Sequence, residues 1–291
     1  MKIFTAAQIH ELDNYTITHE PIKSIDLMER AAKTITRAIM DEWTDRTPMV
    51  IFAGPGNNGG DALAVARLLA EENYKVSVYL FNIHNKLSDD CAANKQRLID
   101  SKRVGHFTEV TLNFDPPELT EDMVVIDGLF GSGLNKPLIG GFASLVKYIN
   151  QCPAKVVSID IPSGLMCEDN TYNIHSNIIR ADLTLTLQQK KLSMMMADCQ
   201  KYIGRLRVLD IRLSKEYIDK TEANCRILEE QDVRRLLMPR DDFAQIGRAQ
   251  SELQSHSDLV CRLLLEKKKL YINVSVSTIL DSFYLYYLYS T

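Results

Sequence analysis

Met49-Val-Ile-Phe-Ala-Gly-Pro-Gly-Asn-Asn-Gly-Gly-Asp-Ala-Leu-Ala-Val-Ala-Arg-Leu-Leu-Ala-Glu-Glu-Asn73 carries three signals in succession. Its first five residues are a continuous apolar run, as expected of a strand buried on both faces. Gly54 to Asp61 is a turn dense in Gly, Asn and Asp. The segment DALAVARLLAEEN (61–73) then reads as a helix. Strand, glycine turn and helix in that order form the first half of a βαβ unit.

The rhythm extends outward from this stretch. KVSVYLF (75–81) is a second strand, followed by MVVID (123–127), a helix near 140–150, VVSID (156–160), LTLTL (183–187) and LRVLDI (206–211). This alternation predicts an α/β fold: a Rossmann-like three-layer α/β/α domain with a mostly parallel central sheet. Two helices precede it. Thr5 is placed to cap the first, whose apolar positions are Ala6, Ile9, Leu12 and Ile17. After Glu20-Pro21, Ser24 opens the second, with Ile25, Met28, Ala32, Ile35 and Ile39 on one face. The expected division is a domain over 1–215, a linker over 216–247 and an atypical short tail over 248–291.

The 291 residues are 45% hydrophobic and 25% charged, ordinary values for a globular chain. Thirty-four basic against 38 acidic residues give a net charge of −4, so no general attraction to nucleic acid is expected. Cysteines at 91, 152, 167, 199, 225 and 261 form no CxxC pair. They read as free thiols in a reducing compartment, which makes the cytoplasm the expected location. The start is polar, and no 18-residue uncharged apolar stretch exists, so neither a signal peptide nor a membrane span is expected.

In an open parallel sheet ligands bind at the carboxyl ends of the strands. Gly54, Gly56 and Gly59 satisfy GxGxxG there. Two details speak against an ordinary nicotinamide-dependent dehydrogenase. Asn82 ends the second strand where a ribose-binding carboxylate belongs, and Asp61 would repel a pyrophosphate lodged on the turn. Asp127, in DGLFGSGLN (127–135), and Asp160, in SIDIPSG (158–164), close two further strands. Each alone is as readily a helix cap; together they predict one binding crevice. Asn58, Asp127 and Ser163 offer oxygen ligands and a single carboxylate, a set suited to a hard, monovalent cation. Asp160 is then free for proton transfer. There is no GxSxG elbow and no P-loop lysine.

GPGNNGGD (54–61), DGLFGSGL (127–134), SIDIPSG (158–164), LMERAA (27–32) and LTLTLQQKKL (183–192) together resemble the NAD(P)H-hydrate epimerases, or YjeF N-terminal domains, over roughly residues 1–215. The resemblance implies interconversion of the R and S epimers of NADH or NADPH hydrated at C6 of the nicotinamide ring, as part of cofactor repair. It implies substrate contacts from Asn57, Asn58, Gly59, Gly60 and Asp61, from the loop Gly131, Ser132, Gly133, Leu134, Asn135, Lys136 and Pro137, and from Asp160. It also implies a potassium ion at Asn58, Asp127 and Ser163. Asp160 is the candidate acid–base group, with Lys191 beside it in the catalytic set.

The chain departs from the family pattern in three places. Ala62 stands where many members have glycine. Lys190-Lys191 replaces a Pro-Lys pair, and Lys191 either reaches the crevice or is a solvated lysine, the reading that its sequence context favours. In many bacteria this domain is fused to a ribokinase-like dehydratase. Residues 227–247 resemble the junction into it, whereas 248–291 lack its length and glycine motifs. A truncated or frameshifted remnant without dehydratase activity is expected. The expected partner is the small-molecule substrate, with no nucleic acid or membrane, and a homodimer is possible. Two alternatives remain: a nicotinamide-dependent oxidoreductase, and a non-catalytic binding module favoured by the tyrosine-rich end (Tyr284, Tyr286, Tyr287, Tyr289).

Overall fold

The apolar runs of the sequence become strands that are buried on both faces. In a computed structural model, which describes residues 1–236, Met49, Ile51 and Ala53 pack into one core cluster while Val50 and Phe52 pack into another. Val124 and Ile126 against Val125 repeat the division in the neighbouring strand of the sheet. Successive side chains of a strand point to opposite faces, so continuous apolar runs are what a two-sided core requires.

Among the described residues two compact units result, one of Thr5–Lys220 and one of Met1–Phe4 with residues 221–236. In chain order the elements are β1 (Lys2–Ile3), α1 (Ala6–His19), α2 (Ser24–Met40), β2 (Met49–Ala53), α3 (Asn57–Glu71), β3 (Val76–Phe81), α4 (Asp89–Ser101), β4 (His106–Val110), β5 (Val124–Gly128), α5 (Gly140–Gln151), β6 (Lys155–Ile159), β7 (Leu183–Leu187), α6 (Gln200–Ile203), β8 (Arg205–Leu209), α7 (Lys215–Lys220), β9 (Cys225–Arg226) and α8 (Glu230–Leu236).

The larger unit is built on a seven-stranded sheet, ordered β4-β3-β2-β5-β6-β7-β8, with every neighbouring pair parallel. Helices α2, α3 and α4 supply the core on one face, and α5 supplies it on the other. Thr5 caps α1 as expected, accepting from the Gln8 amide in a capping box. The only tryptophan, Trp43, packs against the first cluster and its carbonyl accepts from the Tyr74 hydroxyl. In the smaller unit β1 pairs antiparallel with β9, and the Met1 ammonium donates to the Ile227 carbonyl at 2.9 Å.

Sequence patterning missed α4 and β4. Helix α4 buries only Cys91, Asn94 and Leu98, and β4 is an edge strand buried only at Val110. Both lack the apolar density that marks the central elements. The expectations for the tail over 248–291, and for the last part of the linker, lie outside the described residues. Among the described residues no helix is long and apolar enough to cross a membrane, and the five cysteines present are free.

Candidate active site

Strand β2 lies between β3 and β5, so the chain leaves it toward one side and returns on the other. Such a switch point opens a crevice at the carboxyl ends of the two central strands. The turn there is held closed by glycine. A Cβ on Gly54 would lie 1.8 Å from the Leu129 carbonyl oxygen, and one on Gly59 would lie 1.8 Å from that of Gly54. Gly56 is different: nothing lies within 4 Å of the position its Cβ would take. Two of the three motif glycines therefore serve strand–helix packing, and the middle one leaves the turn open to a ligand. Gly128 makes room for Ala62, whose Cβ a side chain at 128 would meet at 2.4 Å.

At the end of β5, Asp127 is fully buried and fully hydrogen-bonded. Its Oδ2 accepts from Ser158 Oγ (2.8 Å) and the Ser163 amide (2.9 Å), and its Oδ1 from Ser163 Oγ (2.5 Å) and the Leu129 amide (3.3 Å). The first bond follows from register, since Asp127 stands opposite Ser158 on β6. Burial pushes the Asp127 carboxyl up, and the bonds from Ser163, Ser158 and Leu129 pull it back down. Ser163 Oγ also accepts from the Phe130 amide at 2.9 Å and lies 3.2 Å from the Phe130 carbonyl. Asn58 lies alongside, with its side chain against Gly131 and its backbone carbonyl near Gly128. The amide Nδ2 of Asn58 is buried without a partner. The Asp127 carboxylate, the Ser163 hydroxyl and the Asn58 carbonyl oxygens at adjoining strand ends are an oxygen-only donor set, which suits a hard monovalent cation rather than zinc or copper; the buried Asn58 Nδ2 is an N–H donor still lacking an acceptor.

Asp160 follows β6 in the left-handed region, at φ 65°. That conformation is uncommon outside glycine, although Asn and Asp adopt it more than other residues; it costs on the order of 1–3 kcal/mol and concentrates at functional sites. Three groups fix the side chain. Its Oδ1 accepts from Lys191 Nζ and the Leu187 amide (3.4 Å), and its Oδ2 from the Ser132 amide (3.2 Å). Lys191 is 1% exposed, so the solvated lysine favoured by its sequence context is wrong. Its ammonium donates to Asp160, Thr186 Oγ1 (2.7 Å) and the Leu187 carbonyl (3.2 Å), which uses all three protons. The run after β7 folds back at Gln188, itself at φ 57°, and this reversal carries Lys191 under Asp160. A lysine in a KK pair shows no periodic sign of this burial; only the family resemblance placed Lys191 beside Asp160.

These strand ends form the floor of a cavity of about 640 Å³, a size that accepts a small organic ligand. Of the residues singled out from sequence, Asn57, Asn58, Asp61, Gly131, Ser132, Gly133, Leu134, Asn135, Asp160 and Lys191 line it. Gly59, Gly60, Asp127, Lys136, Pro137 and Ser163 do not. Asn82 is also elsewhere, donating to Glu109, which Lys95 pairs in turn. Another part of the lining comes from α1 and includes His10 and Asp13, which sequence reasoning missed. Asp13 follows Ile9 and precedes Ile17 at four-residue steps, so it interrupts the apolar stripe of its helix; that was the available signal. Asp61 is 9% exposed and has no hydrogen-bond partner among the described residues. Burial first, then the charges of Asp160, Asp13 and Asp90, push its carboxyl well above the usual range. Gln189 also lines the cavity, with its Oε1 buried and unsatisfied. Orphaned polar atoms in a cavity wall call for a polar ligand.

Comparison with known proteins agrees with this geometry. Residues 24–193 match the family described as YjeF-related protein N-terminus. The NAD(P)H-hydrate epimerase of Limosilactobacillus fermentum is 32% identical over 206 residues, covering 71% of this chain and 95% of that protein. The corresponding protein of Lentilactobacillus buchneri is 35% identical over 208 residues, covering 71% and 93%. The bifunctional NAD(P)H-hydrate repair enzyme Nnr of Coxiella burnetii is 29% identical over 245 residues, and this chain spans about half of it (48%). Among solved structures, that of yeast ynu0 (YNL200c) superposes with a TM-score of 0.60 at 20% identity, covering 76% of this chain and 93% of that one, a likeness of fold. The matched segment runs from α2 through the glycine turn and Asp127 to Lys191, so the chain that builds this crevice belongs to the YjeF N-terminal family.

Proposed function

We propose that the chain interconverts the R and S epimers of C6-hydrated NADH or NADPH, as a step in nicotinamide cofactor repair. The observation that carries this is Asp160, a carboxylate locked on three donors at a strained backbone position in the cavity wall. The names of relatives that this chain matches over 93–95% of their length support the substrate class.

Epimerisation at C6 requires the bond to oxygen to break and reform on the other face, or an equivalent ring opening, so protons must move at fixed positions. Asp160 accepts and returns a proton, while Lys191 and the amides of Ser132 and Leu187 hold it in place and offset its charge. Asn57 and Asn58 open α3 and line the cavity, where their side-chain amides hydrogen-bond the polar groups of the substrate. The loop Gly131–Asn135 covers it from the side. Asn58, Asp127 and Ser163 would hold potassium, which when bound supplies a fixed positive charge beside this floor. Incubating purified protein with enriched R epimer and resolving both epimers by chromatography tests the reading. Re-equilibration faster than in buffer supports it, and an unchanged ratio over a folded protein refutes it.

A further inference from the structure

Epimerisation needs both a group that takes a proton and one that gives it. Lys191 is poorly placed to give one, because all three of its protons are held by Asp160, Thr186 and Leu187. Asp13, on the apolar stripe of α1, lines the same cavity without a hydrogen-bond partner among the described residues. The groups facing it are His10 on its own helix, Asp61 from α3, Asp160 after β6 and Lys191 after β7.

We infer that Asp13 is the general acid of this site, a second catalytic residue contributed by a helix that precedes the matched family segment. Its carboxyl proton goes to the C6 hydroxyl of the substrate. The C6–O bond breaks, its electron pair leaves with the oxygen as water, and the N1 lone pair forms the N1–C6 double bond. Water then adds to the opposite face, the N1–C6 pair returns to N1, and the added water gives its excess proton to Asp160. Transfer of that proton to Asp13 resets the site, with no net change beyond inversion at C6. The division of labour has a physical basis. Burial first, then the charge of Asp160, raise the Asp13 carboxyl to about 6, against the lowering effects of Lys191 and His10. Asp160 has three donors to support its charge, and Asp13 has none. Two carboxyls in one site with environments this different are the usual arrangement for a separate acid and base. The unsatisfied Oε1 of Gln189 and the unpartnered Asp61 in the same walls are independent signs that a polar ligand completes the cavity.

The inference rests on the epimerase reading, and the test separates the two. The full chain and its Asp13→Asn and Asp13→Glu variants are assayed for re-equilibration of R-NADHX between pH 5 and 9, with thermal melting recorded at each pH. The wild-type rate should fall as pH rises above about 6, where Asp13 loses its proton. Asp13→Asn should lose about 10²-fold or more in rate together with that limb of the profile, and Asp13→Glu should restore the limb. The Asn variant should also melt higher than wild type above pH 6, which excludes misfolding as the cause. An active wild type with an Asn variant of equal rate and the same pH limb overturns the role of Asp13 alone. A folded wild type that leaves the epimer ratio unchanged overturns both readings.

Discussion

Lys191 Nζ and Asp160 Oδ1 form a buried ion pair that ties the segment following β7 to the carboxyl end of β6. Breaking such a pair from one side strands a charge, which costs about 3–5 kcal/mol. Lys191→Met should therefore destabilise the protein by roughly that amount and abolish activity. Asp160→Asn, which keeps the shape, should cost less stability while losing about 10²-fold or more in rate. Urea titrations of both variants and of the double variant check the pairing. The double variant should be more stable than the sum of the single losses; strict additivity would mean that the pair does not couple.

The two packing glycines of the turn should respond unlike the open one. Gly54→Ala drives a methyl into the Leu129 carbonyl and should leave little soluble folded protein. Gly56→Ala meets no atom, and its backbone (φ −93°) suits any residue. It should melt within a few degrees of wild type while weakening substrate binding, measured as a raised KM.

Potassium should stabilise the protein by mass action if Asn58, Asp127 and Ser163 hold it. Raising potassium at constant ionic strength, against a large organic cation, should raise the wild-type melting temperature. Ser163→Ala, which also removes one donor to Asp127, should melt lower and lose the potassium increment. An equal increment in the variant would place the ion elsewhere.

Stability should fall on the alkaline side of pH 4. Asp13 binds its proton more tightly folded (about 6) than unfolded (3.8), so the folded state holds more protons in between. The penalty is absent below about 3.8, grows through that window and is fully present above 6, where it is on the order of 2–3 kcal/mol. Asp61 shifts in the same direction through burial. Asp13→Asn and Asp61→Asn should therefore melt above wild type at pH 8 and close to it at pH 4. The reverse order at pH 8 would show that these carboxyls stabilise the fold.

The legible parts of this molecule were those that physics writes locally. Short runs rich in apolar and β-branched residues marked β2, β5, β6 and β7, and Gly, Asp, Asn or Ser after the first three marked the crevice. The edge strand β4 and the polar helix α4 stayed hidden because few of their residues are buried. Lys191, placed beside Asp160 by the resemblance but read as solvated from its local context, was ambiguous for another reason. Its burial is created by the reversal at Gln188, a tertiary event with no periodic signature. Asp13 was visible as a carboxylate in an apolar stripe, but its partners come from α3 and from two strand ends far along the chain.

The most direct test of the central claim supplies R-NADHX to wild type and Asp160→Asn side by side, with an independent S-specific dehydratase and ATP in potassium buffer. Wild type should restore NADH absorbance well above the uncatalysed rate, and the folded variant should not. A folded wild type without acceleration would contradict the epimerase reading, and a fully active Asp160→Asn would contradict the role given to Asp160.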